Sequence, residues 1–136
     1  MNTTTENNKI IAEFMIKQEP TENFCVGSIG QEVGVFTGIK TEYFKYEDLK
    51  FHSDWNWLME VVEKIERLED LERFEITNHS VNITYYQSKE NKFILSLNHR
   101  NNGLYLMGGE NTVNTKIQAV YNACLEFIKW YNEQII

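Results

Sequence analysis

Apolar positions fall into a few blocks of different period along this chain, and the period assigns each block. Ile10, Ile11, Phe14 and Met15 recur at helical spacing and predict a first helix over about 6–17, ended by Pro20. A second helix is predicted from Ser53, read as its N-cap, to about Leu68, with Asp54 in the first turn. Trp55, Leu58, Met59, Val62 and Ile65 make its expected buried stripe. At about 100° per residue Trp57 lies some 200° from Trp55, so it is expected to point elsewhere with Val61 and Lys64. Glu60 with Lys64 and Glu63 with Arg67 are i,i+4 pairs in the favourable orientation.

Past the second helix the pattern changes to alternation. Strands are predicted over about 73–77, 80–86, 92–98 and 104–107, with turns at "TNHS", "QSKEN" and "NHRNNG". A final helix is expected from 112–115 to about Gln134, with Ile117, Val120, Tyr121, Cys124, Ile128 and Tyr131 on one face and Leu125 and Trp130 on the other. The segment 21–50 carries Gly27, Gly30, Gly34 and Gly38 and reads as one or two short strands within a loop. These glycines match neither GxGxxG nor a GK[ST] phosphate loop. The expected fold is α+β: an antiparallel sheet of about four strands with the second and last helices packed on it. At 136 residues, a single domain over 1–136 is the expectation.

Two segments resemble a known group. "LKFHSDWNWLMEVVEKIE" and "TKIQAVYNACLEFIKWYNE", preceded by "IAEFM", are similar to signature segments of an uncharacterised family of small bacteriophage and prophage proteins from Bacteroidetes phages. More distantly, "HSDWNWLMEVVEKI" and "TVNTKIQAVYNACLEF" resemble the helix-opening segments of the phage ABA sandwich domain, which implies an antiparallel sheet with helices on its faces. Segment 21–50 departs from that domain's pattern. Neither resemblance implies an established activity.

Charge narrows the function classes. Thirteen Lys and Arg against twenty Asp and Glu give a net charge of −7, so wrapping of DNA or RNA is not expected. Cys25 and Cys124 form no CxxC pair and suit a reducing compartment, while no run of apolar residues approaches a membrane span and the N-terminus lacks a basic, then apolar, leader. A cytoplasmic protein of the host cell is expected. His52, His79 and His99 share no metal-ligand spacing, and no nucleophile motif appears, so neither metal nor cofactor is expected and an enzyme ranks third among the readings.

The candidate chemistry lies at helix starts and displaced aromatics. His52 and Ser53 open one helix and Thr112, Asn114, Thr115 and Lys116 the other; free N–H groups there suit a small anionic or nucleotide-like ligand. Plain capping is the competing reading. Trp57 is expected at a ligand pocket, and Val61, Leu125, Trp130 and Tyr131 at an interface, which points to a homo-oligomer. The first functional expectation is a non-enzymatic phage accessory protein that binds a host component. It would antagonise antiviral defence by sequestering a nucleotide-like signal or by blocking a host protein. The alternative is a structural or assembly accessory that forms oligomers.

Overall fold

The computed structural model describes residues 2–78, 80–87, 92–101, 112–113 and 115–134, with side chains described except at 86–87, 92–101, 112–113 and 134. The architecture is α+β: three helices with one three-stranded and one four-stranded sheet among the described residues. The chain divides into two compact units, Met1–Val61 and Val62–Ile136.

In the first unit, helix α1 spans Thr3–Lys17. Asn2 caps it by accepting the Thr5 amide at 2.8 Å. Its buried positions are Thr5, Asn8, Ile11, Ala12, Phe14 and Met15, so the stripe is rotated slightly from the expected one and a polar residue, Asn8, takes a core position. Asn8 fits because its Nδ2 donates to the Leu49 carbonyl at 3.2 Å and lies 2.9 Å from His52 Nδ1. A buried amide without such partners costs about 1–3 kcal/mol.

Segment 21–50, expected as one or two strands in a loop, is instead a complete antiparallel meander of β1 (Cys25–Ile29), β2 (Glu32–Phe36) and β3 (Thr41–Phe44). Glycine made it hard to read, and glycine makes it possible. Gly30 at φ +61° lets a two-residue turn join Ile29 to its partner Glu32, and Gly38 at φ +93° shapes the next turn. Val26, Val33 and Val35 occupy the buried face, with α1 lying against β1. A 3-10 turn at Tyr46–Asp48 then leads toward helix α2, Trp55–Glu66.

In the second unit three strands of the expected four-stranded meander are present among the described residues. Strands β4 (Leu71–Ile76), β5 (Ser80–Gln87) and β6 (Lys92–Asn101) pair antiparallel in sequence order, close to the expected bounds. The strand expected at 104–107 lies outside the described residues. Among the described residues the fourth strand of this sheet is β7, Thr112–Val113, which pairs parallel with Arg100 and Asn101. Helix α3, Lys116–Gln134, lies against β5 and β6, as expected for the last helix. Its buried stripe, Ala119, Val120, Tyr121, Ala123, Cys124, Leu125, Phe127 and Ile128, is wider than expected and takes in Leu125. At the other end of the helix, Tyr85 of β5 meets Trp130 edge-on at 5.2 Å and Tyr131 at 6.4 Å, and Tyr131 stacks on Phe127 at 5.8 Å.

Candidate functional site

The site grows from the turn that starts α2. The amides of Ser53 and Asp54 both donate to the Lys50 carbonyl, folding 50–54 into a tight turn. The helix then begins one residue later than expected. Asp54, not Ser53, is the cap: its Oδ1 accepts the Asn56 amide at 2.8 Å and the Trp57 amide at 3.4 Å. Ser53 and His52 are exposed.

That one-residue shift accompanies a reversal of the two tryptophans. Trp57 is 6% exposed and Trp55, expected in the core, is 39% exposed. The buried positions of α2 are Trp57, Leu58, Val61, Val62, Lys64 and Ile65, a stripe as regular as the one expected. Long-range packing decides between them. Trp57 meets three phenylalanines near edge-on: Phe24 at 6.0 Å, Phe44 at 5.1 Å and Phe51 at 5.1 Å. Phe24 precedes β1, Phe44 closes β3 and Phe51 opens the turn, so the nest draws on three separate parts of the unit.

Beside this nest lies an open groove of about 620 Å³. Phe24, Trp57 and the half-buried Met59 are the apolar residues that line it. Asn23 and Asn56 add exposed amides. The charged lining is Glu42, Asp54 and Glu60 against Lys50, three carboxylates to one ammonium. Alternation along β3 puts Glu42 and Phe44 on the same face of the sheet, which is why the acid and the aromatic serve one groove. Lys50 extends its ammonium over the Phe44 ring, 5.6 Å from the centroid. Lys40 lies 3.6 Å from Glu42, with both side chains at least half exposed, so a second ammonium stands beside the groove in a pair of small energetic weight.

The other expected ligand residues are scattered. Thr115 caps α3 by accepting the Gln118 amide at 3.2 Å, and Lys116, the first helical residue, is exposed. Thr112 belongs to β7, and Asn114 lies outside the described residues. Of the expected interface residues, Val61 is fully buried and Leu125 is 7% exposed, while Trp130 and Tyr131 are half-buried against Tyr85. Val61 and Leu125, expected at an interface, are therefore buried within the chain rather than part of an exposed patch. The large exposed apolar side chains are Ile29, Ile39, Tyr43 and Trp55 among the described residues. Sequence reasoning missed Phe24, Phe44, Lys50 and Glu42; no linear spacing joins them, and only sheet register and the 50–54 turn do.

Titration is perturbed elsewhere. Burial, then the charge of Asp70, raises the Tyr85 hydroxyl, whose oxygen lies 3.5 Å from Asp70 Oδ2. Burial pushes Tyr121 up to about 12 and holds the Cys124 thiol protonated far above its usual range. A thiol so placed is inert. Among the described residues no three His, Cys, Asp or Glu side chains group as metal ligands, and no helix is long and apolar enough to cross a membrane. No family model, curated protein or solved structure matches the chain.

Proposed function

We propose that this chain is a non-enzymatic binding protein of phage or prophage origin, acting on a host component, and that the groove at the start of α2 holds its partner. The phage origin is supported by the resemblance of the segments 49–66 and 115–133 to phage proteins. The binding role is supported chiefly by one observation: a groove of about 620 Å³ that combines buried aromatic lining with exposed amides and charges. Ligand sites are typically concave, of about 300–1,000 Å³, and mix apolar walls with a few polar groups.

Of the two forms of antagonism expected, blocking a host protein fits this groove better than sequestering a nucleotide-like anion. The α2 amides that an anion would seek are already bonded to Asp54, and carboxylates outnumber ammonium groups in the lining. The assembly reading keeps one support, the outer face of the β1–β3 sheet, where Ile29 and Tyr43 are 55% and 57% exposed.

Native mass spectrometry of the protein taken from cells of its host separates these readings. With binding, a partner mass rides on the 16.1 kDa chain and is lost when the groove is filled by Asn56→Trp. Bare multiples of the chain mass, unchanged by that substitution, favour assembly. A bare monomer in both samples rejects binding and assembly together.

A further inference from the structure

We infer that the groove beside Trp57 takes a basic segment of a partner protein, seating an arginine or lysine side chain against its aromatic wall; this rests on reading the groove as the binding site. Three observations converge on a cation. Three carboxylates, of Glu42, Asp54 and Glu60, line the groove together with one ammonium, that of Lys50, and Lys40 stands beside Glu42. Close by, the chain sets an ammonium of its own over an aromatic face, Lys50 above Phe44 at 5.6 Å, so the local environment accepts a cation stacked on a ring. The chain as a whole carries −7, which draws a basic partner toward it before contact.

The apolar part of the lining argues for a side chain with a long stem. Arginine and lysine bury methylenes along apolar surface while keeping the charged head among polar groups. The half-buried Met59, with the small exposed edges of Phe24 and Trp57, offers that surface, and Asn23 and Asn56 offer carbonyl oxygens as acceptors for the head group. An inorganic cation would use the carboxylates and leave the aromatic wall idle. A phosphate would face the carboxylates directly.

The test is a titration of the full chain, read by calorimetry and by amide and indole NMR shifts of Asn23, Asn56 and Trp57. The probes are a capped seven-residue peptide alternating arginine with leucine, its citrulline and glutamate counterparts, and spermidine. The arginine peptide should bind roughly tenfold tighter than its neutral citrulline isostere and weaken with added salt, as a charge-assisted contact does. Glu42→Gln with Glu60→Gln should weaken it roughly fivefold. Lys50→Gln, which removes the competing ammonium, should tighten it roughly threefold, a change in the direction that a damaged fold does not produce.

Equal affinity for the arginine and citrulline peptides, with shifts at the groove, overturns the cation while leaving the groove as a binding site. Spermidine binding as tightly as the arginine peptide overturns the protein segment in favour of a small polycation. Groove shifts that follow protein concentration alone make the occupant a second copy of the chain and overturn it too. No groove shift with any probe overturns both this inference and the groove as the binding site.

Discussion

Trp55 and Trp57 differ in consequence because one large ring meets three others and its neighbour faces water. Trp57→Ala would empty a nest shared with Phe24, Phe44 and Phe51 and is expected to cost about 3–5 kcal/mol, the range for a large aromatic cut back to alanine in a core. Trp55→Ala removes a ring that is 39% exposed and should cost about 1 kcal/mol or less. Urea unfolding of both variants checks the order. A larger loss for Trp55→Ala would mean that the stripe expected from the sequence, not the observed one, is the stabilising one.

Elements depend on their ends as much as on their faces. Asp54→Ala leaves the Asn56 and Trp57 amides without their carboxylate and should lower stability by about 1 kcal/mol, while Ser53→Ala, at an exposed turn position, should stay within about 0.5 kcal/mol. Denaturation midpoints of the two variants discriminate the caps. Both residues are good capping types, and sequence alone does not choose between them. The same limit explains what was and was not legible. The α+β class, the three helices and strands β4 to β6 follow from local period, which is a property of neighbouring residues. The meander β1–β3 hides because its short strands carry Gly27 and Gly34, which have no apolar signal of their own, and are parted by a turn at Gly30. Strand β7 hides because two residues have no period. Within α2 two stripes fit the helix equally, and the choice rests on Phe24 and Phe44, which are distant in sequence. The groove is the least legible feature, since it exists only after β3, the 50–54 turn and α2 have been brought together.

For the whole molecule, the acidic composition places the charge balance at a pI near 5.0, but alkaline pH is where buried groups act on stability. Burial pushes Tyr121 up to about 12, whereas an unfolded chain releases that proton near about pH 10. Its contribution is therefore complete below about pH 10 and is lost as pH rises toward 12, because the unfolded state alone ionises there. Between about pH 9 and about pH 11 the wild-type chain should lose about 1 kcal/mol more than Tyr121→Phe. The raised Tyr85 and Cys124 add losses of the same sign that persist in both proteins. Urea titrations at the two pH values give the difference, and parallel losses would show that Tyr121 ionises alike folded and unfolded.

The order of strands also governs how the chain finds its fold. Each described strand pairs with its sequence neighbour, and β1 to β2 closes over only Gly30 and Gln31. Closing short loops sacrifices little chain entropy, so these ladders lie on the fast side of the relation between contact distance and folding rate. The parallel pair β6–β7 is the exception, since strands that run the same way are not joined by a tight hairpin turn. Among the described strand pairs it is the one that a hairpin cannot nucleate, and the start of α3 follows directly after it.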